Sequence, residues 1–436
     1  MDRRNFLSLA AFAGLGVVSP RVFGNSNRNL LTGKKIEPLF ATYNGPFHVL
    51  INAGGGWDPT SLCDPKGFAF EDDPDAVNRS YATGDILTAG NIRFAPLGSM
   101  DEPDYFKTFF EKHYQKIMVL NGVDTATNGH DSGSRHCFCG RLAEGYPSFG
   151  AIAAASASRE LPMAYLSFGG FDETQGIVAR TRSGNTNALA RIAYPDRRDP
   201  NDENSTFHSA AAADAIVSAQ ADRRTHLEAI EQLPRTRDAI SLLYAARTGT
   251  NELKKLQEYL PAMLSNNGNE RQVQVAIAAY KAGISAAVNL NTGGFDTHGN
   301  HDATHIPRLV ELLKMIDFLW QEAEAQGVAA SIRVLVGSDF GRTPNYNDGN
   351  GKDHWSITSM MLMGAGIPGN KVIGTTDERH SPIPVNVGSL APDPNGIRIE
   401  PRHVHKNLRR LSGIDDNEYG QQFPLTIPAE EDLKLF

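Results

Sequence analysis

The stretch "NLNTGGFDTHGNHDATH", Asn289 to His305, holds Asp296, His298, His301, Asp302 and His305 in a chain of 436 residues with only 13 histidines. Asp296, His298 and His301 stand at D-x-H-x-x-H spacing. A carboxylate oxygen with imidazole nitrogens is a donor set that zinc or another divalent ion accepts without the redox liability of thiolates. The plainer reading is a loop that leads into a helix and caps it through Asp302 or Thr304. Further along, Asp339 ends "IRVLVGSD" just before Arg342, and Asp353-His354 make another Asp-His pair in the glycine-rich "GNGKDHWS". Asp339 reads as a second ligand or as the partner of Arg342 in a tight turn. Asp58 follows three glycines in "GGGWDPTSLCD", and glycine lets backbone approach a bound group closely. "DTATNGHDSGSRHCFCG" adds Asp124, Asn128, His130, Asp131, Ser132, Ser134 and His136. A serine here is a nucleophile if a metal or histidine activates its hydroxyl, and otherwise part of a flexible Ser/Gly loop.

These residues follow short apolar runs bounded by Gly and Asn, the pattern of buried strands. Phe47 to Ala53 leads to Asp58, Ile117 to Asn121 leads to the serine-rich segment, "AAVNL" leads to Asp296, and "SIRVLVGS" leads to Asp339. Between the last two, Leu309, Leu312, Leu313, Ile316, Leu319 and Trp320 fall at helical spacing, with Gly327 as a stop. Strand, helix, strand at this length is a parallel crossover unit. In an open parallel sheet, ligands gather at the carboxyl ends of the strands, where loops converge over an edge while helices cover both faces. Four strands are therefore expected to deliver their polar clusters to one edge. Two segments interrupt the plan: 65–100, polar and turn-rich, expected as a surface flap, and 207–287, rich in Ala, Leu and Glu, expected as a helical insert.

The charge balance, 42 Lys and Arg against 50 Asp and Glu for a net charge of -8, offers no basic run to neutralise phosphates, so nucleic acid is not an expected partner. "MDRRNFLSLAAFAGLGVVSP" pairs Arg3 and Arg4 with an apolar run from Leu9 to Val18, much shorter than the roughly 20 residues that span a bilayer. It resembles a twin-arginine export signal over residues 1–24, which makes the export machinery a partner and the periplasm or the exterior the destination. No later stretch is long and apolar enough for a membrane span. Cys63, Cys137 and Cys139 are too few for a disulfide framework, although an oxidising compartment would permit Cys63 to pair with one of the others.

The order GGGWD, GFDTHGNH, GSDFGRTP, GKDHW resembles the bacterial family called domain of unknown function 1501, exported proteins similar to the alkaline phosphatase and sulfatase superfamily. The likeness runs from about Phe47 to Ile414 and is most specific in "SDFGRTPN…GKDHWS…GAGIPGNKVIGTTDE". It implies an α/β fold over 40–420, an alkaline-phosphatase-like three-layer sandwich with a mostly parallel central sheet and a helical insertion. It also implies metal-binding roles for Asp58, for Asp296 with His298 or His301, and for Asp339. Where phosphatases read Asp-His at the last strand end, this chain has Asp339-Phe340, with His354 able to supply the missing ligand. The expectation is an exported metal-dependent hydrolase of a small anionic ester, phosphate or sulfate. A divalent ion (zinc, calcium, magnesium or manganese) would be held by members of the set Asp58, Asp296, His298, His301, Asp339, Asp353 and His354. Ser132, Ser134 and Arg342 are the catalytic candidates, with Thr60 and Ser61 as other possible nucleophiles. His130 and Arg342 would face substrate. The competing expectation is a metal-binding or cell-envelope scaffold without turnover.

Overall fold

A computed structural model describes residues 42–182, 194, 197–199, 202, 204–248, 253–261 and 263–436. The export signal read over residues 1–24 lies outside them. The chain runs through β1 (Phe47–Gly54), the hairpin β2 (Leu87–Ala89) and β3 (Ile92–Phe94), α1 (Tyr105–His113), β4 (Ile117–Asp124), α2 (His130–Cys139) and α3 (Phe149–Ser158). Next come β5 (Tyr165–Ser167), β6 (Arg180–Arg182) and the helices α4 (Ala210–Ile230), α5 (Pro234–Thr248), α6 (Lys254–Tyr259) and α7 (Gly268–Lys281). The remainder comprises β7 (Ala287–Gly293), α8 (His301–Ala325), β8 (Ile332–Ser338), β9 (Gly341–Arg342), β10 (His354–Trp355), β11 (Ile357–Gly364), β12 (Lys371–Ile373), β13 (Thr375–Thr376), β14 (Pro382–Ile383), α9 (Pro401–Leu411) and α10 (Glu418–Gln422).

Eight strands form one sheet in the order β12-β4-β11-β8-β1-β7-β5-β6. Every neighbouring pair is parallel except the two that involve β11, which runs against both β4 and β8. Strands of such a sheet are buried on both faces, which is why β1 and β4 read as mainly apolar runs rather than alternating ones, with His48, Asn52 and Asn121 as buried exceptions. Val49 and Ile51 of β1 pack on one face with Val334 of β8 and with Ile277 of α7 and Leu312 of α8. Leu50, between them, packs on the other with Leu335 of β8, Ile152 of α3 and Val404 of α9. Helix, sheet and helix make three layers, the mostly parallel α/β sandwich that the sequence implies.

The two interrupting segments differ from each other. Segment 65–100 is only partly a surface feature: Ile92 and Phe94 of its hairpin are buried in the core with Phe106 and Phe110 of α1, while Phe70 and Met100 are exposed. Within 207–287, α4 has no buried residue, whereas α7 is buried through Val273, Ala276, Ile277 and Tyr280 and serves as the crossover helix into β7. Among the described residues, no helix is long and apolar enough to cross a membrane.

Candidate functional site

The carboxyl ends of β1, β7 and β8 meet above the sheet. β1 leaves through Gly55 and Gly56, at φ of 122° and 88°. A Cβ on Gly55 would lie 2.5 Å from the backbone nitrogen of Asp296, and one on Gly56 would strike the Phe340 ring, so only glycine permits this approach. Ser338 at the end of β8 fastens the turn, its hydroxyl oxygen accepting from Gly56 N–H at 3.0 Å and Trp57 N–H at 2.9 Å. Gly55 N–H donates to Asp339 Oδ2 at 3.0 Å. The turn of β1 and the end of β8 are thus one rigid piece, set against the segment that carries Asp296.

Three histidines from three different segments converge on the half-exposed carboxylate of Asp296. His354 Nε2 lies 3.2 Å and His298 Nε2 3.1 Å from Asp296 Oδ1, and His130 Nε2 lies 3.6 Å from Oδ2. In each ring the other nitrogen is already engaged. His354 Nδ1–H donates to the carbonyl oxygen of Asn128 at 2.8 Å, His298 Nδ1 pairs with Asp353 Oδ1 at 2.8 Å, and His130 Nδ1 pairs with Asp339 Oδ2 at 2.8 Å. A neutral imidazole that donates through Nδ1 leaves Nε2 as a bare lone pair, the form that ligates a metal, and such outer partners fix the tautomer of metal-ligating histidines. The Nε2 atoms of His298 and His354 lie 2.9 Å apart. Two bare lone pairs at that distance repel, so a proton or a cation is required among them. One ligand atom each from His130, Asp296 and His354 lies within 4.8 Å of the others, a spacing that fits a divalent ion.

Electrostatics separate the carboxylates. Burial pushes Asp296 upward, but the hydrogen bond and charge of the Arg342 guanidinium, with the contacts to His354 and His298, outweigh it and hold the carboxyl below its usual value. Asp339, more deeply buried, is raised despite the hydrogen bonds from His130 and Gly55. Asp353 is lowered by its hydrogen bond to His298.

Asp58 and His301, read from the sequence as ligands, have other partners. Both are fully buried in an ion-pair cluster: Asp58 Oδ2 lies 2.6 Å from Lys352 Nζ and 3.1 Å from His301 Nε2, while Oδ1 accepts from Thr60 N–H and Oγ–H at 2.9 and 2.6 Å. A carboxylate with both oxygens so occupied is a structural anion. Burial pushes it upward, and the charge of Lys352 with the hydrogen bond from His301 brings it well below the ordinary range. Asp339 and Asp353 likewise orient histidines instead of joining the group around Asp296.

Arg342 is fully buried and committed. Its guanidinium donates to the carbonyl oxygens of Gly56 at 2.8 Å, Lys352 at 2.9 Å and Gly55, and to Asp296 Oδ1 at 2.8 Å. It ties the segments together and has little left to offer an anion. The Ser132 hydroxyl lies 2.7 Å from Thr127 Oγ1 and 3.1 Å from the Gly129 carbonyl, a turn contact. Thr60 and Ser61 are fully buried. Ser134 faces a cavity of about 720 Å³ with His130, Asp339, Asn52, Arg135 and Tyr146. A second cavity, of about 530 Å³, borders the cluster through Asp296, His298, Thr304 and Arg308. Cys63, Cys137 and Cys139 are free and buried, and burial raises all three thiols, Cys63 to about 12 and Cys139 to about 11.

Sequence reasoning passed over Lys352 and the Asn128 carbonyl. Lys352 directly precedes Asp353-His354, yet a lysine in a glycine-rich loop reads as solvated, and a backbone carbonyl carries no sequence signal.

The model of a family described as "Protein of unknown function (DUF1501)" matches residues 48–426. No curated protein matches the chain in sequence. Among solved structures, the alkaline phosphatase from the Antarctic bacterium TAB5 is 10% identical at a TM-score of 0.35, covering 85% of this chain and 99% of that one. The PsFucS1 sulfatase from Pseudoalteromonas sp. is 9% identical at a TM-score of 0.36, covering 89% of this chain and 72% of that one.

Proposed function

On the premise that the chain belongs to the DUF1501 family, we propose that it is an exported, metal-dependent hydrolase of a small anionic ester, phosphate or sulfate. The observation that carries this reading is the convergence of three imidazole Nε2 atoms on Asp296, each ring fixed by its Nδ1 partner. Asp296, His130 and His354 would hold a divalent ion, and His298 stands beside them. When bound, such an ion would polarise the ester and offset charge developing on its oxygens.

The chain's own residues would do the rest. Asp339 and the Asn128 carbonyl keep the ligand rings turned toward Asp296. His298, half-exposed at the mouth of the smaller cavity and backed by Asp353, is placed to carry a proton at Nε2 to the departing alkoxide. The first-turn amides of α2, where no side chain caps the helix at Gly129, favour an anion at the edge of the larger cavity. Arg3 and Arg4 support delivery by the twin-arginine machinery.

A second reading, a metal-binding or cell-envelope scaffold without turnover, draws on one observation: neither Ser132 nor Arg342 is free to act, since both are held by internal contacts. The test is elemental analysis of protein purified without chelator, together with hydrolysis of aryl phosphate and aryl sulfate by wild type, Asp296→Ala and His354→Ala. Stoichiometric metal and ester turnover in wild type, both lost in the variants, support the hydrolase. Metal without turnover favours a metal-binding scaffold, and a folded wild type that takes up no metal refutes the hydrolase and leaves the cell-envelope scaffold.

A further inference from the structure

Beneath the cluster lies a closed ring of hydrogen bonds whose direction is determined at every link. Asp58 N–H donates to His305 Nε2 at 2.8 Å, so that nitrogen is an acceptor and the proton of the neutral ring is on Nδ1. His305 Nδ1 faces Thr297 Oγ1 at 3.1 Å and therefore donates to it. At the opposite side His301 Nε2 faces the acceptor-only Asp58 Oδ2 at 3.1 Å, so the His301 proton is on Nε2 and its Nδ1 is bare. Thr297 Oγ1, 2.7 Å from that Nδ1 and 3.4 Å from the Phe295 carbonyl oxygen, gives its proton to the nearer acceptor and closes the ring. Asp58, His301 and His305 are fully buried, Thr297 nearly so, and the two imidazoles stack at 4.4 Å between centroids.

The ring grips the backbone on which the cluster is built. Thr297 is the residue between Asp296 and His298. Its carbonyl accepts from Lys352 N–H at 3.1 Å, and Lys352, whose ammonium is seated on Asp58, directly precedes Asp353 and His354. Asp296, His298 and Asp353 are thus chain neighbours of a ring member or of the lysine anchored to it, and His354 is the next residue after Asp353.

We infer that Thr297, His301 and His305 are positioning residues, a buried hydrogen-bonded ring that sets the backbone of Asp296, His298 and His354 for metal binding. The inference rests on the metal-centre reading above. A threonine hydroxyl is needed because the link must accept from one ring and donate to the other. Serine can do both and valine, of similar shape, can do neither.

The experiment is a cobalt(II) titration of the full chain, followed by visible absorption, for wild type, Thr297→Ser and Thr297→Val, with thermal unfolding recorded for each. The expected result is a wild-type affinity and d–d spectrum in the serine variant. In the valine variant the affinity falls at least ~10-fold and the band shifts, as when an outer partner of a ligand is removed. Unchanged affinity and spectrum in Thr297→Val overturn the positioning role alone, whereas absence of cobalt from wild type overturns the metal-centre reading beneath it. If the valine variant does not fold, nitrogen-15 NMR of the wild-type histidines decides. His301 protonated on Nε2 and His305 on Nδ1 support the ring, and the opposite tautomer at either position overturns it.

Discussion

Replacing Lys352 by methionine separates a structural anion from a metal ligand at Asp58. Both side chains of the pair are fully excluded from solvent and lie 2.6 Å apart. Removing one partner of such a pair costs about 3–5 kcal/mol, because the other charge stays buried without compensation. Asp58 would keep three donors, His301 Nε2–H, Thr60 N–H and Thr60 Oγ–H, which puts the expected loss near the lower end, about 3 kcal/mol. For a chain of this size that is a fall in Tm of about 3 °C. In wild type the depressed carboxyl contributes stability above the ordinary aspartate range, lost as pH falls through it. Without Lys352, burial dominates and raises the Asp58 pKa, so the variant loses stability as pH rises through that raised value. The gap between the two proteins should therefore widen from pH 4 to pH 7 in urea unfolding curves recorded with chelator present. Asp58→Asn on the Lys352→Met background should recover much of the loss at pH 7. A gap that does not change with pH, or one that appears only when metal is supplied, would refute the assignment of Asp58 as an internal counter-ion.

Other consequences are open to measurement. Asp339→Ala frees His130 Nδ1 and should weaken metal binding by about 10–100-fold with little change in far-ultraviolet circular dichroism, as read by isothermal titration; unaltered affinity would remove Asp339 from the site. Burial holds both His48 and His405 down to about 3, so between pH 6 and pH 4 the unfolded chain takes up protons that the native one does not. Stability is then complete above the unfolded value near 6.5 and declines below it, by about 2.5 kcal/mol per histidine over that interval. His405→Leu should flatten the slope of urea midpoint against pH. The three buried thiols should stay silent toward a disulfide reagent in native protein and react together on unfolding; fast reaction of any one contradicts the packing around it.

The sheet was legible because its strands needed to satisfy only one condition, burial on both faces, and β1, β4 and β8 show it as mainly apolar runs, whereas β7 also carries Asn289, Asn291 and Thr292. Their carboxyl ends followed from parallel pairing, which brought Asp296 and His130 to one edge, whereas His354 reaches it on β10, paired antiparallel with β9. Spacing along the chain could not say which Asp and His of that edge face one another. His298 and His301 lie on opposite sides of the start of α8, one pointing to the cluster and the other into the core, because Asn300 between them turns the backbone left-handed at φ 46°. Arg342 was misread toward substrate because a guanidinium in a loop near a carboxylate suits an anion equally well, until the carbonyls of Gly55, Gly56 and Lys352 take up its donors.

The position of β1 in the sheet fixes when the site can come into being. This first strand lies between β7 and β8, and the turn that follows it is fastened by Ser338, 282 residues further along from Gly56. At a synthesis rate of about 5–20 residues per second, those residues take roughly 15 to 60 s to emerge. Through that time a mainly apolar strand waits without its partners, the circumstance in which a nascent chain depends on shielding against association with others. The cluster around Asp296 cannot close before the last of its segments, the one bearing His354, has left the ribosome. Loading of an ion is therefore a late and all-or-none event, and a chain cut short before that segment should carry no trace of the centre.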